Sequence, residues 1–145
     1  ALAFSAAIRA QQEGIEVAQL ILLDAVPWSE TIKAAGLLQP LLLLSLTAEP
    51  SAMNAGLKVE ELHAAIEFPF MQLHLVGSSH VDAENPPGYF AGSFTTETGQ
   101  RLFAELLRRY VLREGFEAYV AGQKELGYIR SQKGQSQVPE SNSGA

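Results

Sequence analysis

Cysteine is absent from the chain, which excludes disulfides, a thiolate nucleophile and cysteine–zinc sites. Its absence suits a reducing compartment such as the cytoplasm without requiring one. Positive charge is scarce: 10 Lys and Arg stand against 16 Asp and Glu, for a net charge of −6. A nucleic-acid partner is therefore not expected, because gripping phosphates needs clustered Lys and Arg. No apolar run approaches the roughly 18 residues of a spanning helix, so no integral membrane segment is expected. There is no glycine-rich phosphate loop, and the three histidines are not spaced as ligands on one element. Neither a cofactor nor a metal is expected. The start, ALAFSAAIRA, has no basic stretch before it and does not read as a signal peptide. It carries no initiator Met and reads as mid-helix, so the chain is expected to be a fragment of a longer protein.

What is present is ordinary globular material, 47% hydrophobic, in an alternating order of helices and strands. Residues 1–13 are rich in Ala, with Leu2, Phe4 and Ile8 as bulk, and Gly14 is a natural left-handed stop. The run 17–23 (VAQLILL) lacks alternation, as does 41–46 (LLLLSL). Both fit parallel strands covered on two faces. A third strand is expected over 71–76 (MQLHLV), closed by Gly77. Helices are expected at 30–38, interrupted by Gly36, at 55–67, and most clearly at 98–111. In the last, Leu102, Leu106 and Tyr110 share a stripe. Gly115 should kink or end that helix, with helix resuming over 116–127. From Arg130 the chain is polar and is expected to be a disordered tail over 130–145, beyond a domain spanning 1–129. The order implies an α/β fold with about three parallel strands and flanking helices.

In such sheets ligands lie beyond the carboxyl ends of the strands. The loops there carry Asp24, then Glu49 with Ser51 and Asn54, then Ser78, Ser79, His80 and Asp82. His80, in G-S-S-H, can reach a site and still turn its ring, which a general base requires. His74 lies within a strand and reads as a satisfied sheet residue. His63 falls on the polar side of the 55–67 helix and reads as solvated. For the acid that orients His80, Glu49 is preferred and Asp24 is the alternative. Asp82 is too near His80 in sequence and is expected to shape the loop with Asn85 and Pro86. No nucleophile is visible. Ser5 lacks the flanking glycines of a G-x-S-x-G elbow, and Ser78 and Ser79 read as loop hydrogen bonders.

The segment ALAFSAAIRA and then VAQLILLDAVP resembles the small-residue helix and leucine-rich strand placed directly after a nucleophile elbow in α/β-hydrolases. The end, LHLVGSSHVDAENP and then an amphipathic helix, is similar to the catalytic-histidine loop and closing helix of that superfamily. Within it the chain looks closest to dienelactone hydrolase, acetylhydrolase and chlorophyllase-like esterases, over roughly residues 1–120. The resemblance implies the C-terminal part of a serine-type hydrolase with a Ser, acid, His order, which Glu49 before His80 fits. It implies that the elbow and the oxyanion loop are not in this chain. It also implies that the first strand has lost its inner neighbour and exposes an apolar edge.

The expected function is hydrolysis of a small carboxylic ester or related acyl substrate, with His80 and its acid completing a Ser–His–acid triad whose serine lies elsewhere. The alternative is a non-catalytic α/β module that binds a ligand or partner at the same edge. The sequence does not set an oligomeric state.

Overall fold

The computed structural model describes residues 1–83 and 94–123, and the backbone of 126–131. The first helix, α1, spans Leu2–Gln12. Next come strand β1 (Gln19–Leu23) and a short helix α2 (Ser29–Lys33) with a 3-10 turn over Ala35–Leu37. The split falls at Ala34, and Gly36, a poor helix former, lies inside the 3-10 turn. Strand β2 (Leu42–Thr47), helix α3 (Val59–Ala65) and strand β3 (Met71–Leu75) come after it. Helices α4 (Glu97–Leu112) and α5 (Phe116–Gly122) and strand β4 (Leu126–Ser131) complete the order.

The four strands form one sheet in the order β1-β2-β3-β4. β1, β2 and β3 pair in parallel, with Leu20 opposite Leu43 and Leu46 opposite Leu73. The fold is α/β. Side chains alternate between the two faces, as strand geometry demands, and each face has its own core. Leu20, Leu22 and Leu43 pack with Phe4 and Ile8 of α1 and with Val59 and Leu62 of α3. Leu44, Leu46 and Leu73 pack with Leu102, Leu106 and Tyr110 of α4 and Phe116 of α5. Double coverage explains why these strands read as unbroken apolar runs. β1 is an outer strand, and its second edge meets no strand among the described residues.

Three expectations from the sequence give way. Helix does not continue to 127: α5 stops at Gly122, and the next segment becomes β4, antiparallel to β3. Arg130 and Ser131, assigned to a disordered tail, are part of that strand; 132–145 lie outside the described residues. The unpaired ladder of β3 gives a short extended segment its hydrogen bonds, and this tertiary contact overrides local preference. Third, α3 begins only at Val59, because Ala55, Gly56 and Leu57 are all left-handed, with φ of 51°, 66° and 66°. No described helix is long and apolar enough to cross a membrane.

Candidate functional site

The carboxyl ends of β1, β2 and β3 are stitched together by polar side chains, and Asp24 is the centre of the stitching. It sits directly after β1, with its backbone N–H donating to Leu46 O at 2.7 Å. Its φ is 42°, a left-handed conformation that Asp adopts more readily than bulkier residues. The turn aims the carboxylate across the end of β2. Oδ1 accepts from Ala48 N at 2.9 Å. Oδ2 accepts from Asn54 Nδ2 at 3.0 Å and from His80 Nδ1 at 2.8 Å. Asp24 is fully buried, and these hydrogen bonds offset the cost of burying its charge.

His80 opens a 3-10 turn, His80–Ala83, after β3. A carboxylate can only accept, so the proton between the two sits on Nδ1 and leaves Nε2 with its lone pair. The His80 side chain is 29% exposed. Among the described residues Asp24 is its hydrogen-bond partner, and Nε2 is left open.

The turn that carries His80 is anchored on both sides. Ser78 Oγ donates to Leu75 O at 2.7 Å, and Glu49 N donates to Ser78 O at 3.2 Å. Asp82, buried, accepts from Ser79 N at 2.6 Å and from Thr96 N and Oγ1 at 2.6 and 2.7 Å. Thr96 in turn caps α4, accepting from Gly99 N at 3.0 Å. A Cβ on Gly99 would lie 2.0 Å from Asp82 Oδ2, so only glycine permits this seating. Asp82 thus shapes the loop as expected, though with Ser79 and Thr96; Asn85 and Pro86 lie outside the described residues.

Glu49, preferred from the sequence, does not face His80. Its Oε1 accepts from Gly77 N at 2.8 Å, and Oε2 lies 3.5 Å from His74 Nε2. His74, in β3, also meets Thr47 Oγ1 through Nδ1 at 3.1 Å. The carboxylate beside His80 is that of Asp24, the alternative. Asp24 spans β2 because its left-handed turn projects inward, and the two side chains together cover the two strand spacings of about 4.8 Å each. Ser5 is exposed on α1; Ser78 bonds within its loop through its hydroxyl, and Ser79 through its backbone N–H.

His63 is a correction. It is fully buried, not solvated, with Nε2 2.8 Å from Ser45 Oγ and Nδ1 3.7 Å from Glu60 Oε2. Its ring lies 5.1 Å from that of Phe70. The polar pattern of 55–67 misleads because the otherwise apolar sheet face beneath α3 carries two buried polar side chains, Ser45 and Gln72. Gln72 Nε2 donates to Glu60 Oε1 at 2.7 Å. Ser45, His63 and Glu60 align in the order of a hydrolytic triad. Ser45 is mid-strand and fully buried, so no substrate carbonyl can reach it.

A cleft of about 240 Å³ adjoins the His80 turn, between Leu23, Asp82, Phe103 and Leu107. A larger, shallow hollow of about 690 Å³ lies at the opposite end of the sheet, near Gly14, Val17 and Pro40, away from the chemistry. No group of three or more His, Asp and Glu able to hold a metal occurs among the described residues. Asn54 is the residue that sequence reasoning left without a role; an Asn before Ala-Gly in the loop after a strand is a turn signal, but nothing local points it at Asp24. Comparison with family models, with curated proteins and with solved structures finds no match.

Proposed function

We propose that the chain is the C-terminal part of a serine-type α/β-hydrolase, supplying His80 as the general base and Asp24 as the carboxylate that orients it. The observation that carries this reading is the 2.8 Å bond between His80 Nδ1 and Asp24, with no hydrogen bond to Nε2 among the described residues, at the carboxyl edge of a parallel sheet. The substrate class is a small carboxylic ester or related acyl compound. His80 Nε2 takes the proton of a serine hydroxyl as its oxygen attacks the carbonyl, then returns that proton to the leaving alkoxide. Asp24 holds the ring and stabilises the imidazolium formed between those steps. The serine and the oxyanion donors are contributed by residues other than those described. Glu49 serves as the tie between the second and third loops.

The test is fluorophosphonate labelling of the polypeptide as the cell makes it, and then mapping of the labelled residue. Labelling is expected at a serine outside residues 1–145, and it is expected to vanish in His80→Ala. The purified 145-residue chain is expected to show no turnover of a p-nitrophenyl ester above buffer. Absence of labelling in the native polypeptide, or labelling that survives His80→Ala, would overturn the proposal and leave the edge as the binding surface of a non-catalytic module.

A further inference from the structure

We propose that Asn54 is the positioning residue of the Asp24–His80 couple: its carboxamide sets the orientation of the Asp24 carboxylate and thereby the tautomer of His80. The inference gains its purpose from the hydrolase reading, but it stands on geometry that exists without any substrate. Asn54 is 1% exposed. Its Nδ2 donates to Asp24 Oδ2 at 3.0 Å and to Glu49 O at 2.8 Å. Its Oδ1 accepts from Ser51 N at 2.9 Å and from Leu57 N at 3.2 Å. Both amide protons and both lone pairs are thus engaged.

This arrangement has one stable direction. Turning the amide over would set Oδ1 against a carboxylate and a carbonyl, and Nδ2 against two N–H groups. Four like-with-like contacts would replace four hydrogen bonds. Asn54 is therefore a rigid donor, and the Asp24 carboxylate it meets has one oxygen fixed by Ala48 N and the other by Asn54. His80 then meets a carboxylate that cannot rotate.

The backbone that holds Asn54 supports the same conclusion. Ala55 and Leu57 are non-glycine residues at positive φ, on either side of Gly56. Such residues are strained and persist only where their surroundings enforce them. The left-handed turn is what brings Leu57 N back to Asn54 Oδ1. A loop capped only for stability could use an ordinary turn; this one places a donor on Asp24.

The experiment is long-range proton–nitrogen NMR of the full chain, reading the tautomer of His80. The other carboxylate in the His80 turn, Asp82, is taken up by Ser79 and Thr96, so the readout reports Asp24. In the unsubstituted chain the Nδ1–H tautomer is expected to dominate. In Asn54→Ala the ratio of Nδ1–H to Nε2–H is expected to fall about fivefold, the effect of loosening one hydrogen bond. Asn54→Ser keeps a hydroxyl oxygen for the loop amides while withdrawing the donor from Asp24. It is expected to lower the same ratio by a similar factor. If Asn54→Ala does not fold, Asn54→Ser decides alone. Folded variants with the tautomer ratio of the parent chain would reduce Asn54 to a loop cap and overturn the proposal. Because no substrate is involved, such a failure is separate from a failure of the labelling test above.

Discussion

Three histidine–carboxylate groupings lie on this small sheet among the described residues, and those at His63 and His80 differ most in access. His63 has a serine 2.8 Å from one ring nitrogen and a glutamate 3.7 Å from the other, yet all of its surface is buried. His80 has a carboxylate 2.8 Å from Nδ1 and, among the described residues, no hydrogen bond to Nε2, on a side chain 29% exposed. The first satisfies polar groups in an interior and the second offers a base to a visitor. Residue types alone would rank the buried group first, since it holds a serine, a histidine and a glutamate in order. Position on the strand reverses the ranking: Ser45 sits inside β2, whereas Asp24 and His80 sit beyond strand ends, where a ligand can approach.

The largest effect that would test this contrast is at Asp24. Asp24→Ala strands the donors of Ala48, Asn54 and His80 together, and is expected to cost about 4 kcal/mol in urea unfolding. His80→Ala removes one hydrogen bond to a charged group and is expected to cost only about 1.5 kcal/mol. Equal costs would mean that Asp24 is not the hub of the loops. Next, Gly99→Ala drives a Cβ into the Asp82 carboxylate and is expected to cost about 3 kcal/mol by overpacking. It should also broaden the His80 resonances, because Asp82 anchors that turn. A neutral Gly99→Ala would show that the turn has slack.

Ser45→Ala sharpens the comparison from the buried side. It removes the oxygen facing His63 Nε2 and is expected to cost about 1–2 kcal/mol, with the His80 tautomer and fluorophosphonate labelling untouched. Labelling that depended on Ser45 would undo the argument from access. The smallest effect is at Tyr110, which is fully buried with a hydroxyl that has no hydrogen-bond partner among the described residues. Tyr110→Phe is expected to be neutral or to stabilise by up to about 1 kcal/mol at pH 7. Burial raises the Tyr110 pKa to about 12, opposed by the nearby Arg113 charge. A raised value means that the phenol's contribution is complete below pH 10 and is lost as pH climbs from 10 towards 12. Tyr110→Phe should therefore flatten the alkaline limb of the stability profile, which thermal melts at pH 9 to 12 would reveal.

Much of this was legible from residue order. The apolar runs at 17–23, 41–46 and 71–76 lie over β1, β2 and β3 within two residues at each end, because burial on both faces leaves an unmistakable pattern. The helix read at 98–111 is α4 with one residue more at each end. What stayed hidden depends on partners distant in sequence. β4 is a strand because β3 offers it a ladder, and His63 is interior because Ser45 and Gln72 make a polar patch opposite it. Strand position ranked Glu49 above Asp24 by assuming that each loop stays over its own strand. The left-handed φ at Asp24 sends that carboxylate sideways instead, and backbone handedness of a single Asp is not written in its neighbours.

The parallel topology that assembles Asp24 also dates it within the folding reaction. Its carboxylate joins partners 24, 30 and 56 residues away along the chain. Each of these closures requires a complete crossover, and contacts of such sequence separation form late because loop entropy must first be overcome. The local pieces, α1 and α4, can form and fray on their own schedule while the couple is still open. A partly folded chain with β1 and β2 paired but β3 undocked would keep most of the first apolar core and have no Asp24–His80 bond at all. The His80 Nδ1 proton is thus a clock for the arrival of the third strand.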